Sequence, residues 1–192
     1  MLLGGIARRG AQGHLILRDD GSEAPAGEQG TIYLRSRRGV RLAYHNDAAK
    51  TQAAHHGADL FTTGDVGWLD AEGFLYLTDR KIDMIISGGV NIYPAEIEAV
   101  LAAHPAVHDV AVIGVPNAEF GEEVKAIVQA APGTPAGADL AALLMRVCRD
   151  KLAAYKVPRS IEFRETLPRT ETGKLQKRLL RDAYWAGAAR RI

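Results

Sequence analysis

A disulfide cannot form within this chain, because its 192 residues include a single cysteine, Cys148. The same scarcity excludes a cysteine-based zinc cluster. Cys148 sits in an Ala/Leu-rich helical pattern, where a buried and inert thiol is expected rather than a nucleophile. An excess of one charge is also lacking: 24 Lys and Arg stand against 23 Asp and Glu, for a net charge of +1. That balance gives no reason to expect nucleic acid or a membrane surface as a partner. No apolar run approaches the roughly 20 residues that cross a bilayer. The opening MLLGGIARRG has no basic residue ahead of its short apolar stretch, so it makes a poor signal peptide. A cytoplasmic location is the expectation. No repeat and no low-complexity tract is evident. His45, His55 and His56 lie in a polar segment and read as surface residues, with no metal site expected.

What is there is a normal globular composition, 47% hydrophobic, in a length that suits one domain or two small ones. The first part is strand-rich. HLIL (14–17) and TIYLRS (31–36) flank the turn-rich segment DDGSEAPAGEQG. The Ala-rich segment between Arg41 and Gly57 predicts a short helix. GWLDAEGFLYLTDR (67–80) predicts a hairpin with its turn at Asp70–Gly73.

After Arg80 the texture changes. Met84–Ile86 and Val90–Ile92 are short strand candidates on either side of Gly88-Gly89. Pro94–Ala103 predicts a helix, with Pro at the first helical position and Glu96 and Glu98 near its positive end. VHDVAVIGV (107–115), EVKAIVQA (123–130) and IEF (161–163) predict three strands, with PNAEFGE (116–122) as a loop. Leu140, Leu143, Leu144 and Val147 form the apolar stripe of another helix, with Asp139 available as its cap. LPRTETGKLQ (167–176) reads as a flexible loop and Lys177–Trp185 as a closing helix. The fold class is therefore α+β. A β-rich part, 1–79, precedes a compact α+β unit, 80–192, built from a short hairpin, a three-stranded sheet and helices, with the boundary near Asp79–Asp83.

Three stretches in order carry a resemblance: TTGDVGWLDAEGFLYLTDR (62–80), DRKIDMIISGGVNIYPAEIE (79–98) and YKVPRSIEFRETLPRTETGKLQKR (155–178). Together they resemble the C-terminal third of the adenylate-forming, AMP-forming acyl-CoA synthetases. The resemblance covers nearly the whole chain. It implies that residues 1–79 are the end of a large AMP-binding domain and that 80–192 are the small mobile domain. The phosphate loop, the Tyr-Gly-x-Thr-Glu motif and the acyl pocket of that family have no counterpart here. An N-terminal domain is accordingly expected in cis, and the chain alone is expected to be inactive. ATP, CoA and Mg²⁺ are the implied cofactors, the ion accompanying ATP, and a small carboxylate is the implied substrate. Three alternatives stay open: loading of a carrier protein in place of CoA, a non-catalytic nucleotide- or CoA-binding fragment, and, more remotely, a luciferase-like oxygenase.

The resemblance assigns roles residue by residue. Asp65, in a TGD turn, matches a ribose ligand: a carboxylate accepts two vicinal hydroxyls at once, although an Asp there also stabilises a turn. Arg80 matches an ATP contact, its planar fork suiting ribose or phosphate oxygens. Leu77 lies where relatives touch the nucleotide. Lys174 matches the adenylation lysine, bridging carboxylate and α-phosphate. Gly88-Gly89 matches the segment lining the pantetheine tunnel of CoA, while a plain two-residue hairpin turn accounts for the same glycines. Asn91 bonds either the pantetheine arm or its own turn. Lys156 and Arg159 lie where relatives meet CoA phosphates, and Arg159 is the CoA-binding candidate. Ile82 occupies the hinge position, where relatives usually carry Asp or Lys.

Overall fold

A computed structural model describes residues 13–36 and 41–186. The opening segment weighed above as a signal peptide lies outside the described residues. The chain divides into two compact units, Met1–Ile82 and Asp83–Ile192.

In the first unit β1 (His14–Leu17) and β2 (Gly30–Arg35) pair antiparallel. A short helix α1 (Ala48–Ala53) follows, capped by the Asp47 carboxylate, which accepts the Lys50 amide at 2.9 Å. The helix is shorter than the polar segment that holds it, because His55–His56 leave it as β3 to pair with β4 (Leu60–Phe61). β5 (Asp65–Leu69) and β6 (Leu75–Arg80) form the expected hairpin. Its turn is closed by Asp70, whose side chain accepts the Phe74 amide at 2.7 Å. The sheet runs β3-β4-β2-β5-β6, with β1 also on β2. Ile16, Ala24, Ile32, Leu69 and Leu75 form its core.

In the second unit β7 (Ile85–Ser87) and β8 (Val90–Ile92) make a tight hairpin. Helix α2 (Pro94–Ala102) starts on Pro94 with Glu96 in its first turn, as its sequence predicts. Strands β9 (Val107–Asn117) and β10 (Gly121–Ala130) form a long antiparallel hairpin. It leaves a shorter loop than the one expected over 116–122. Pro116 reads as a breaker, yet β9 lies at the sheet margin, where a proline is tolerated. Helix α3 (Ala138–Lys151) is capped by Gly137 rather than by Asp139, which lies in the first turn where its charge faces the positive helix end. β11 (Ser160–Phe163) pairs parallel with β10. The closing helix α4 is only Lys177–Asp182, three residues short of the predicted end at Trp185. Because Ser87 also pairs with Gly121, the hairpin and the three-stranded sheet join into one sheet of five strands.

That sheet is covered on both faces, which is why β9 is buried without a break from Val110 to Val115. Val110, Val112, Val124, Ala126 and Val128 pack under α2 and α3, through Ile97, Leu101, Leu140, Leu144 and Cys148. Cys148 is fully buried, and burial pushes its thiol pKa up. Ala111, Ile113, Val115 and Ile127 face the other way, onto Leu167 and Leu180. A helix as short as α4 cannot hold itself in water and depends on this packing. Leu180→Ala is expected to destabilise the unit by about 2–4 kcal/mol, measured as a shift of the denaturant midpoint at unchanged slope. A change under about 0.5 kcal/mol contradicts the dependence.

Candidate active site

Asp65 and Arg80 are direct partners across β5 and β6, with Nε 3.7 Å from Oδ1. The other carboxylate oxygen of Asp65 accepts the Thr63 hydroxyl at 2.6 Å. Leu77 lies three residues before Arg80, so simple alternation puts the two on opposite faces. A bulge changes this. Val66 pairs with Asp79 and Gly67 with Leu77, leaving Thr78 as an extra residue. Residues directly opposed in a sheet share a face, so the register places Asp65, Leu77 and Arg80 together. Leu77 is 37% exposed, and several other large apolar side chains of the chain are exposed too, so its exposure alone marks no role.

Ile82 is the middle residue of a 3₁₀ turn, Lys81–Asp83, and is 57% exposed. It is the last residue of the first unit. Asp83, the first of the second, pairs with buried Arg181 on α4 at 3.7 Å.

Gly88 and Gly89 form a two-residue turn with φ of +57° and +79°, the left-handed pair that a type I′ hairpin requires. A Cβ placed on Gly89 meets no atom within 4 Å apart from its own chain neighbours. The backbone thus explains the glycines, and the space above Gly89 is open. Asn91 is exposed, and among the described residues its side chain makes no hydrogen bond to the turn. The Gly88 amide donates to the carbonyl of Phe120 at 2.9 Å. Arg159 lies over the Phe120 ring, 5.8 Å from its centre. Two segments far apart in sequence therefore meet at the tip of the β9–β10 hairpin, joined by Phe120. Nothing in PNAEFGE singles out this phenylalanine in advance. Lys156 is separated from Arg159 in role: it pairs with Glu96 at 2.5 Å. Burial works against its charge, but the bond and charge of Glu96 outweigh this, and its pKa is raised.

Lys174 lies in the expected loop between β11 and α4, within a hydrogen-bonded turn. Arg169 and Leu175 form a bridge, the Thr170 amide donates to the Lys174 carbonyl at 2.9 Å, and the Lys174 amide donates to the Thr170 hydroxyl at 3.1 Å. Gly173, with φ of +80°, closes it. Lys81, Lys125, Lys156 and Lys177 each pair with a carboxylate. Lys174 is exposed, and among the described residues its ammonium has no such partner. The following helix is fixed at its start by Lys177, 2.8 Å from Glu98 of α2. Glu98 in turn accepts the Val112 amide of β9 at 2.7 Å.

Residues 96–174 match the AMP-binding enzyme C-terminal domain. The chain belongs to the adenylate-forming, AMP-binding acyl-CoA ligase family and corresponds to the C-terminal portion of its members. It is 44% identical over 162 residues to the 3-[(3aS,4S,7aS)-7a-methyl-1,5-dioxo-octahydro-1H-inden-4-yl]propanoyl:CoA ligase of Rhodococcus jostii, covering 84% of this chain and 31% of that one. ATP-bound MatB from Rhodopseudomonas palustris superposes with a TM-score of 0.77 at 33% identity, covering 90% of this chain and 34% of its own. The o-succinylbenzoate CoA synthetase of Bacillus subtilis, solved with its acyl-adenylate, gives 0.76 at 37% identity, covering 88% and 33%. The chain thus spans about a third of the length of these adenylate-forming relatives. No helix among the described residues is long and apolar enough to cross a membrane.

Proposed function

We propose that this chain supplies the C-terminal part of an ATP-dependent, AMP-forming carboxylate–CoA ligase. Its first 79 residues complete the nucleotide site, and the remainder is the mobile domain. One observation carries the reading. Gly88 is bonded at the Phe120 tip of the β9–β10 hairpin, whereas the turn of Lys174 is tied through Arg169 to Asp109 near the other end. From Asp109 to Asn117 is eight residues of β9, roughly 26 Å at about 3.3 Å per residue. Two groups attached that far apart on one rigid sheet cannot serve one reacting centre together. They can serve it in turn.

In the first step Asp65 accepts the ribose hydroxyls, and Arg80 and Leu77 hold the nucleotide. The Lys174 ammonium faces the charge that builds as the carboxylate attacks the α-phosphate and pyrophosphate leaves. In the second, rotation about Ile82 brings up the Gly88-Gly89 end. The CoA thiol then displaces AMP, with Arg159 meeting CoA phosphate and Asn91 the pantetheine arm. Ile82 is a β-branched pivot with fewer backbone choices than the usual Asp or Lys, which favours one of the two states. Mg²⁺ is expected with the ATP phosphates. Among the described residues no cluster of three or more His, Cys, Asp or Glu side chains is arranged to hold it.

The test is a hybrid in which this chain replaces the matching C-terminal portion of the Bacillus subtilis synthetase. The hybrid is expected to form the CoA thioester from o-succinylbenzoate, ATP and CoA, and the isolated chain to show no carboxylate-dependent pyrophosphate exchange. A folded hybrid that binds ATP yet forms no thioester contradicts the reading. So does exchange by the chain alone.

A further inference from the structure

The turn from Arg169 to Leu175 is exposed over Thr170–Lys174, and its sequence, Thr-Glu-Thr-Gly, is not stiff in itself. Leu167 and Leu175 pack at its two ends, so the chain enters and leaves it at fixed points. Between them one side chain spans it. The Arg169 Nη1 donates to the Gly173 carbonyl at 2.6 Å, the residue before Lys174. Nη2 and Nε of the same guanidinium donate to Asp109 Oδ2 at 2.5 and 3.2 Å. Asp109 is itself held, since its Oδ1 accepts the Val110 amide at 2.9 Å. A continuous set of contacts thus runs from the β9 backbone through Asp109 and Arg169 to the peptide that carries Lys174.

We propose that Arg169, seated on Asp109, is the positioning residue that sets where Lys174 delivers its ammonium. The inference rests on the assignment of Lys174 to the adenylation step. A lysine is a point charge on a flexible four-carbon stem, so its reach is defined only as well as its Cα. Arginine suits the post because its planar fork addresses the sheet and the turn at once. Lysine at 169 can keep one of these contacts but not the full set. The pair is partly exposed, with 44% of the Arg169 side chain accessible. Its loss therefore costs little global stability, and the effect appears in geometry.

The experiment uses the hybrid ligase and the 192-residue chain. In the hybrid, Arg169→Ala is expected to lower kcat for adenylation roughly ten- to a hundredfold. The step from supplied acyl-adenylate to thioester stays unchanged, and Tm moves by no more than roughly 3 °C. Arg169→Lys recovers part of the rate, and Asp109→Asn gives a smaller loss in the same step. In the chain, Arg169→Ala speeds amide exchange at Gly173 and Lys174 while β9 and β10 keep their protection. Wild-type adenylation by Arg169→Ala, alongside a dead Lys174→Ala, overturns the positioning role and leaves the Lys174 assignment standing. Equal loss in both half-reactions with a lowered Tm also overturns it. Wild-type adenylation by Lys174→Ala removes the assignment, and the inference with it.

Discussion

Lys174→Ala in the hybrid ligase is expected to slow acyl-adenylate formation about a thousandfold. Thioester formation from supplied acyl-adenylate should stay within about twofold of wild type. The size follows from one charge. A unit pair at about 4 Å in an effective dielectric of about 20 is worth about 4 kcal/mol. If that arises only as phosphate charge develops, it is about three powers of ten in rate. The selectivity follows from attachment. Lys174 stands at the Asp109 end of the β9–β10 hairpin, far from the glycine turn, and its ammonium is not spent on a carboxylate among the described residues. Arg169→Ala weakens the same step by less, since it leaves the charge in place. Equal losses in both half-reactions for Lys174→Ala count against the role.

Gly89→Leu is expected to show the opposite pattern: thioester formation falls at least about a hundredfold, with adenylation near wild type. Backbone strain alone is a rival cause, because a side chain at φ of +79° is disfavoured. Gly89→Ala separates the two. It carries the same strain without the bulk, and apart from its chain neighbours no atom lies within 4 Å of a Cβ there. If alanine and leucine impair the step equally, strain and not obstruction is responsible. If leucine alone impairs it, the obstructed object is the incoming thiol arm.

The legible parts of the sequence were those with local causes. Pro94 and Glu96 mark the start of α2 because a helix N-terminus tolerates a missing amide and favours negative charge. Asp70 to Gly73 mark a turn by their own hydrogen bonding. The features that the sequence does not announce depend on partners distant in the chain. Thr78 becomes a bulge only in register with β5, and that register moves Leu77 onto the face of Asp65 and Arg80. Phe120 gains meaning only beside Gly88 and Arg159. Arg169 and Asp109 are 60 residues apart, so nothing in the sequence around Lys174 announces their contact. Asp139 yields the α3 cap to Gly137, because the cap depends on backbone angles that composition does not specify.

In the proposed function one small domain serves two steps with two ends of its sheet. Rapid mixing of the hybrid with ATP, o-succinylbenzoate and CoA, quenched over time and assayed for acyl-adenylate and thioester in the same samples, tests it most directly. Lys174→Ala is expected to accumulate neither species, yet to make thioester normally once acyl-adenylate is added. Gly89→Leu is expected to accumulate acyl-adenylate and stall there. Both variants stalling at the same step would contradict it.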